Sequence, residues 1–318
     1  MRKVILTKKL NAAQIALFDG IGDLTFVTVA DNDQPSFDLH IADAEAILLS
    51  TAYKMTRQVI ESAKNLKVIS RTGVGVDNVD VQAASERGIL VLNTPLSNSI
   101  SVAEHAVALM VALSKQLVRY DYELRSGNFA IRRTNKAVDM DGKTLGLIGC
   151  GRIGRFAAEK CRAAFGMQVI GYDPYIERLD GITLYKDIKD VFRLADYISI
   201  HIPLTPETKG LVGEELLSLM KPTAFLVNTA RGGIIDEAAL AKKLADEAIA
   251  GAALDVFEQE PPGADSPLLT LRNAILTPHS AALTRECSER VATDAAEGLA
   301  DYLAGREPKA IFNKADLK

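Results

Sequence analysis

Three ionisable residues in the last third of the chain have the types that a proton-coupled reduction needs. Arg231, Glu260 and His279 each follow an apolar, strand-like run, in "FLVNTARGGIIDE", "LDVFEQEPP" and "LTPHSAAL". A histidine exchanges a proton near neutral pH, and a carboxylate bonded to its other ring nitrogen favours the imidazolium form. A guanidinium binds a carboxylate through a planar fork. We therefore expect these groups to reduce the carbonyl of a 2-oxo acid by hydride transfer, with His279 as acid/base.

Each of the three residues also has a structural interpretation. A lone histidine after a strand is more often a structural hydrogen-bonding residue, Glu260 before a proline fits a solvated loop, and Arg231 fits a helix cap. Their joint occurrence at the ends of successive strands favours a catalytic set, because ligands bind at that edge of an open parallel sheet. We interpret His105, in the middle of a helical pattern, as structural.

A glycine motif upstream of this set is typical of dinucleotide binding. Gly149, Gly151 and Gly154 form G-x-G-x-x-G directly after an apolar strand and at the start of a helical stretch. Asp173 ends the next strand, 173 − 154 = 19 residues beyond the last glycine. The three glycines allow a tight turn, close approach of the pyrophosphate and packing of the helix on the strand. The Asp173 carboxylate can accept hydrogen bonds from the ribose hydroxyls. Because a 2′-phosphate would meet Asp173, the motif predicts NAD rather than NADP.

Strand-like and helix-like segments alternate along most of the chain. The first hundred residues hold five strand candidates, and six more, from "TLGLIG" to "AILTPH", begin after residue 143. Such alternation predicts an α/β fold with parallel sheets, and six strands with five crossovers match a doubly wound sheet.

Two long helical patterns accompany these series. Residues 97–125 are predicted to form one helix that is apolar on more than one face, which suits a position between domains or at a subunit interface. Residues 126–141 are polar and irregular and are predicted to form a loop. The amphipathic stretch "RECSERVATDAAEGLADYLAG" is expected to be a single helix that returns to the first domain.

Composition excludes several classes of protein. Of 318 residues, 48% are apolar and 25% charged, and the net charge is −4, so we expect a globular protein without nucleic-acid or membrane partners. The longest apolar run, residues 106–113, is too short to span a bilayer, and no signal peptide is evident. Cys150, Cys161 and Cys287 are scattered without metal-ligand spacing. They indicate free thiols, a cytoplasmic location and no metal site.

Several segments between residues 71 and 279 resemble the D-isomer-specific 2-hydroxyacid dehydrogenase family. They include "RTGVGVDNVD", "GLIGCGRIG", "HIPLTPETKGLV", "VNTARGGIIDE", "GAALDVFEQEPP" and "LTPHSAA", in this order. The resemblance implies a flavodoxin-like substrate domain, residues 1–97 with 285–318, and a Rossmann-type NAD domain, residues 98–284. It also implies a site in the cleft between the domains and a homodimer.

The resemblance further implies individual roles. Arg231 would orient the substrate, Glu260 would be the partner of His279, and the backbone N–H groups of Val74 and Gly75 would bind the substrate carboxylate as an anion nest does. For the last pair, a simple glycine-rich turn is the alternative. Besides the glycines and Asp173, the expected cofactor-binding residues are Arg152, Ile153, His201, Pro203, Thr229, Ala230 and Asp255.

The substrate is left open among several 2-oxo acids. The best likeness is to the 3-phosphoglycerate dehydrogenases of the family, without their appended regulatory domain, but Ser50 stands where an arginine often meets the substrate phosphate. Lys54, Arg71, Arg132 or Arg133 are alternative cations for a phosphate. Glyoxylate, hydroxypyruvate or a bulkier acid are the other candidates. The alternative function is an NAD(H)-sensing, corepressor-like interaction protein of the same fold.

Overall fold

The computed structural model describes residues 2–29 and 33–317, which divide into two compact units. Unit 1 comprises Met1–Asn98 and Thr284–Lys318, and unit 2 comprises Ser99–Leu283. The sequence analysis places the boundaries after residues 97 and 284. Each unit is built on one parallel sheet covered by helices, as the α/β prediction requires.

Unit 1 has a five-stranded sheet in the order β2-β1-β3-β4-β5. This order, 2-1-3-4-5, is that of flavodoxin-like folds, so the predicted fold of this unit is confirmed. Its strands are β1 (Arg2–Leu6), β2 (Leu24–Thr28), β3 (Ala46–Leu49), β4 (Val68–Arg71) and β5 (Leu90–Leu92), and its helices are α1 (Ala12–Ala16), α2 (Gln34–Ile41), α3 (Arg57–Ser62), α4 (Val81–Glu86) and α12 (Arg285–Leu303).

The C-terminal part of the chain completes unit 1. Helix α12 is one helix, as expected, and packs its alanine-rich face on strands β3 to β5. Small side chains allow this close approach, and Ala295 and Ala296 are almost fully buried. Beyond it, the buried side chain of Asn313 accepts a hydrogen bond from the Val91 N–H at 2.9 Å and donates one to the Ile89 carbonyl at 3.0 Å. These bonds occupy backbone groups on the edge strand β5.

Unit 2 has a seven-stranded sheet in the order β12-β11-β10-β9-β6-β7-β8. Its strands are β6 (Thr144–Ile148), β7 (Gln168–Tyr172), β8 (Thr183–Leu184), β9 (Tyr197–Ile200), β10 (Phe225–Asn228), β11 (Gly251–Leu254) and β12 (Ala274–Leu276). Its helices are α5 (Ser99–Ser114), α6 (Leu117–Arg125), α7 (Ile131–Thr134), α8 (Arg152–Phe165), α9 (Ile188–Leu194), α10 (Glu214–Leu217) and α11 (Glu237–Ala245).

This topology is a doubly wound Rossmann-type sheet with one strand more than the sequence predicts. Strand β8 has only two residues and no apolar run, so its sequence carries no strand signal. From β6 the chain winds outward first through β7 and β8, and then in the other direction through β9 to β12. The crevice between the carboxyl ends of β6 and β9 is therefore the topological switch point, where such sheets bind ligands.

The prediction of one helix over residues 97–125 is wrong. The chain forms α5 and α6, which meet at an angle of 56°. Gln116 at the break has φ +55°, a left-handed conformation that ends a helix, and the Ser114 hydroxyl donates to the Val138 carbonyl at 2.8 Å. The predicted loop 126–141 likewise contains the short helix α7.

Among the described residues, no single helix is long and apolar enough to cross a membrane. The bent pair α5 and α6 meets the requirement together, by length and composition only.

Candidate active site

His279 and Glu260 are in direct contact at the carboxyl edge of the unit 2 sheet. They follow the neighbouring strands β12 and β11, and His279 Nδ1 lies 2.8 Å from Glu260 Oε2. The other carboxylate oxygen, Oε1, accepts a hydrogen bond from the Phe257 N–H at 3.1 Å. With a carboxylate at Nδ1, this nitrogen carries the hydrogen, and Nε2 is the ring nitrogen that can exchange a proton with a ligand. The His279 side chain is 51% exposed, so a ligand can reach it.

A buried carboxylate fixes the turn that carries this histidine. His279 has φ +51°, in the left-handed region that non-glycine residues rarely adopt. Its N–H donates to the Asp255 carbonyl at 2.8 Å, and the Ser280 and Ala281 N–H groups each donate to an Asp255 carboxylate oxygen at 2.8 Å. The Thr277 hydroxyl donates to the same carboxylate at 2.5 Å. The sequence analysis expects Asp255 to bind the cofactor. In the structure its side chain is fully buried, and both carboxylate oxygens accept hydrogen bonds from this turn.

Arg231 follows the next strand of the sheet, β10. Its backbone carbonyl accepts a hydrogen bond from the Asn228 side chain at 2.9 Å, and its guanidinium donates to the Ala230 carbonyl at 2.7 Å. At the adjacent Gly232, a Cβ would lie 1.8 Å from the Phe257 carbonyl oxygen. Only glycine fits this contact, which brings the loop of Arg231 against the loop that carries Glu260.

The glycine motif forms a turn between β6 and the N-terminus of α8. Gly149 has φ +93°, and a Cβ there would lie 2.7 Å from the His201 carbonyl oxygen across the switch point. A Cβ on Gly154 would lie 2.5 Å from the Gly149 carbonyl oxygen. A Cβ on Gly151, in contrast, would meet nothing within 4 Å. The space beside this glycine, at the start of a helix that begins with Arg152 and Ile153, suits a pyrophosphate.

Asp173 closes the other side of this turn. One carboxylate oxygen accepts the Cys150 N–H at 2.9 Å, and the other accepts the Tyr175 N–H at 3.0 Å. A carboxylate has about four acceptor positions, so ribose hydroxyls can still bind. Burial, reinforced by this carboxylate, raises the pKa of the Cys150 thiol to about 12. The thiol sulfur occupies the space beside Gly171, where a Cβ would lie 2.6 Å from it.

The expected nicotinamide side of the crevice presents a buried hydroxyl. The Thr229 Oγ1, after β10, finds no hydrogen-bond partner among the residues that the structure describes. Its neighbour Ala230 is held by a hydrogen bond from its N–H to the Asn228 side chain at 3.0 Å. An orphaned buried hydroxyl at this edge, together with the open space at the glycine turn, fits a bound dinucleotide.

The segment after β9 lines the same crevice. His201 Nε2 lies 2.9 Å from the Ser199 hydroxyl, and burial lowers the pKa of this histidine to about 4, so the ring is neutral near pH 7. The Pro203 carbonyl accepts a hydrogen bond from the Thr208 hydroxyl at 2.7 Å, which fixes the following loop.

Val74 and Gly75, the residues predicted to bind an anion, lie on the loop after β4 in unit 1. The carbonyls of Thr72, Gly73 and Val74 accept hydrogen bonds from the Arg71 guanidinium at 2.9 Å, the Thr94 N–H at 2.9 Å and the Asn93 side chain at 2.8 Å, respectively. The N–H groups of Val74 and Gly75 donate to none of the residues in the described ranges. Two adjacent uncommitted N–H groups on a loop whose carbonyls are occupied suit an anion.

The possible phosphate ligands are dispersed. Ser50, at the end of β3, donates its N–H to the Thr7 hydroxyl at 2.7 Å, and the Arg71 guanidinium is engaged with its own loop. The Arg132 guanidinium, in unit 2, lies 5.3 Å from the Phe129 ring centroid.

Sequence reasoning missed the contacts of two polar residues with the turn that carries His279. His105 Nε2, on α5, lies 3.2 Å from Thr277 Oγ1 and 3.6 Å from Asp255 Oδ1. No sequence signal joins His105 to this turn, because the contact spans 172 residues. Thr277 lies two residues before His279, and this position of a hydroxyl residue is the one feature of the sequence that could have indicated its role in the turn.

We expect Gly151→Ala to weaken NADH binding without destabilising the protein. The added methyl meets no protein atom within 4 Å, yet it occupies the space beside the pyrophosphate site. Titration by fluorescence or calorimetry should show an affinity loss of roughly tenfold or more, about 1.4 kcal/mol. Gly149→Ala is the contrasting variant, since its Cβ meets backbone and its melting temperature should fall. Unchanged NADH affinity in Gly151→Ala would contradict this location of the pyrophosphate.

The chain is similar to proteins of one family over its whole length. Residues 107–281 match the model of the D-isomer specific 2-hydroxyacid dehydrogenase, NAD binding domain. A D-3-phosphoglycerate dehydrogenase of Methanocaldococcus jannaschii is 42% identical over 321 residues, which cover 100% of this chain and 60% of that protein. The chain thus spans less than two thirds of this curated relative.

Solved structures of similar size have the same fold. An NAD-dependent formate dehydrogenase from Staphylococcus aureus in complex with NAD has a TM-score of 0.83 and 33% identity, with 96% of each chain covered. A glyoxylate reductase from Paecilomyes thermophila has a TM-score of 0.87 and 28% identity, with 99% of each chain covered. The family model assigns NAD binding to most of unit 2. The chain therefore belongs to the D-isomer specific 2-hydroxyacid dehydrogenase family.

Proposed function

We propose that the protein is an NAD-dependent oxidoreductase that interconverts a D-2-hydroxy acid and a 2-oxo acid. The observation that carries this proposal is the 2.8 Å contact between His279 Nδ1 and Glu260, at the carboxyl edge of a sheet that also bears the dinucleotide turn. An acid/base pair beside an NAD site is the arrangement that carbonyl reduction requires.

His279 handles the proton of the reaction. In the reductive direction, NADH held at the glycine turn of unit 2 would be the source of the hydride for the carbonyl carbon of the substrate. The Nε2–H of the His279 imidazolium gives its proton to the carbonyl oxygen, and the C=O bond becomes CH–OH. The Glu260 carboxylate at Nδ1 accepts a hydrogen bond from the ring and holds it in one orientation. General acid catalysis of this kind is worth roughly 10²- to 10⁴-fold in rate.

Two further groups bind the substrate in this proposal. The Arg231 guanidinium binds the carboxylate and polarises the carbonyl oxygen as negative charge develops there. The uncommitted N–H groups of Val74 and Gly75 supply a second anion site for the carboxylate. His279 is the acid/base, Arg231 the orienting cation, and Glu260 acts through His279.

For the natural substrate, we propose 3-phosphoglycerate, with hydroxypyruvate and glyoxylate as the alternatives. The name of the Methanocaldococcus jannaschii relative supports the first, and that of the glyoxylate reductase structure supports the last. A serine at position 50 cannot neutralise a phosphate, so a phosphorylated substrate needs a cation from Lys54, Arg71, Arg132 or Arg133.

A panel of 2-oxo acids tests both the activity and the substrate. With NADH as the reductant, we expect oxidation to be fastest with 3-phosphohydroxypyruvate, and slower with hydroxypyruvate, glyoxylate and pyruvate, followed by absorbance at the NADH band. His279→Ala should lose roughly 10²- to 10⁴-fold in kcat while its NADH affinity stays unchanged.

The matched control is His40→Ala, in helix α2 of unit 1, which should keep the kcat of the wild type. Turnover of His279→Ala within a few-fold of the wild type would reject the acid/base assignment. Tight NADH binding without turnover of any acid would instead support an NAD(H)-sensing interaction protein.

We further propose that Asp173 selects NADH over NADPH. Its carboxylate ends β7 beside the glycine turn, where a 2′-phosphate would meet negative charge. Asp173→Ser should raise kcat/KM with NADPH relative to NADH by roughly tenfold or more, since one removed repulsion of about 1.4 kcal/mol gives that factor. An unchanged ratio of kcat/KM with NADPH to kcat/KM with NADH would show that a group other than Asp173 determines the cofactor preference.

We propose a cytosolic homodimer. Cys150, Cys161 and Cys287 are buried free thiols, which suits a reducing compartment. Helix α6 exposes an apolar face in which Val118 is 53% and Tyr122 62% exposed. A contiguous apolar face of this kind suits a two-fold interface, because the same patch can meet its own copy.

Light scattering coupled to size exclusion should give twice the chain mass of 34.3 kDa. The double variant Val118→Glu/Tyr122→Glu should shift the protein to the monomer, because it places charges in the apolar face. Leu39→Glu, at a residue 75% exposed on α2 of unit 1, is the matched control and should stay dimeric. A dimer that persists in the double variant would exclude this face as the interface.

A further inference from the structure

His105 makes polar contacts that a purely packing residue would not need. It lies on α5 directly before Ala106, which with Leu109 belongs to the apolar core of unit 2. Its side chain is only 23% exposed, and Nε2 lies 3.2 Å from the Thr277 hydroxyl and 3.6 Å from the Asp255 carboxylate. Both partners belong to the turn that holds His279.

The direction of these hydrogen bonds follows from the chemistry of the threonine. A hydroxyl has a single hydrogen, and the 2.5 Å contact of Thr277 Oγ1 with Asp255 Oδ1 requires that hydrogen to point at the carboxylate. Thr277 Oγ1 can therefore only accept from His105, and His105 Nε2 carries a hydrogen. The order of donation runs from His105 to Thr277 to Asp255.

The Asp255 carboxylate in turn accepts the main-chain N–H groups that define the turn. Ser280 donates to Oδ1 and Ala281 to Oδ2, both at 2.8 Å, and the His279 N–H donates to the Asp255 carbonyl. A buried polar network of this kind holds one geometry only while every member is satisfied. Loss of the His105 donor leaves Thr277 free to rotate away from the carboxylate.

We propose that His105 is a positioning residue, which fixes the orientation of His279 through Thr277 and Asp255. This inference rests on the proposed function, because the orientation of His279 matters to turnover only if this residue transfers the proton. Helix α5 is a suitable anchor, since it packs against α8 and strands β10 and β11 within unit 2. His105, which the sequence analysis interprets as a structural residue, thus affects the orientation of His279 through the residues that lie between them.

The first test measures kinetics on the full chain. His105→Leu removes the N–H donor and replaces the imidazole with an apolar side chain of similar size. We expect kcat to fall roughly tenfold to a hundredfold, because small misplacements of a reacting group cause losses of this order. KM for the oxo acid and the affinity for NADH should stay within about twofold, since the proposed role of His105 acts through Thr277 and Asp255 and not through ligand binding. His105→Gln keeps an N–H donor at a similar reach and should restore kcat to within a few-fold.

A double-mutant cycle tests whether the effect passes through the threonine. Thr277→Val breaks the same chain of donation, so its combination with His105→Leu should lose no more kcat than the worse single variant. Additive losses would overturn the proposed path. An equal loss of kcat in His105→Gln and His105→Leu would also overturn the proposal, because the loss would then come from changed packing and not from the missing N–H donor.

A second measurement does not depend on turnover. Hydrogen–deuterium exchange of the N–H groups at residues 279–281 should accelerate roughly tenfold or more in His105→Leu, because their bonds to Asp255 open more often. His40→Leu, in unit 1, is the control and should leave this exchange unchanged. If the wild type reduces no acid, the proposed function fails, yet faster exchange in His105→Leu still supports His105 as the residue that holds the turn. Unchanged exchange with unchanged kcat would overturn the proposal.

Discussion

The turn that carries His279 depends on one buried carboxylate. Asp255 is fully enclosed, and a charge without water is costly unless hydrogen bonds replace its solvation. Here the donors come from the turn itself: two main-chain N–H groups and the hydroxyls of Thr277 and Ser280. Because these bonds form only when His279 adopts its left-handed conformation, the solvation of the carboxylate and the strained backbone of the histidine stabilise each other.

Close backbone approaches set the remaining geometry of the NAD-binding unit. Gly149 lies against the backbone of His201 across the switch point, and Gly232 lies against the Phe257 carbonyl between the arginine and glutamate loops. Neither contact leaves room for a side chain, so both distances are determined by backbone atoms. Parallel pairing of the strands places these loops along one edge, and the glycines then bring neighbouring loops into contact.

The sequence predicts the strands that end at this edge of the sheet more accurately than the helical segments that connect the strands. Arg231, Glu260 and His279 could be placed at successive strand ends, because apolar runs mark buried strands and parallel strands share their direction. The bend at Gln116 could not be predicted, since the helical pattern continues through it and only a left-handed backbone reveals the break.

Contacts between residues far apart in the chain are the second feature that the sequence did not predict. The role of the Asp255 carboxylate and the contact of His105 with Thr277 depend on tertiary packing, which composition and spacing do not encode. Sequence motifs predicted that Asp255 binds the cofactor, but they gave no sign of the hydrogen bonds between its carboxylate and the turn that carries His279. The glycine motif was the opposite case, because Gly149 and Gly154 answer local steric requirements and Gly151 leaves open space for a ligand.

The thiol inside the dinucleotide turn has a consequence for chemical resilience. Only a thiolate reacts readily with oxidants and alkylating agents, and burial holds the pKa of Cys150 at about 12, far above the pH of any cell compartment. Its sulfur also fills the space that Gly171 leaves in the neighbouring strand. A cysteine at the centre of the cofactor turn therefore serves as an inert spacer between two strands, and oxidative stress that inactivates exposed thiols leaves this turn intact.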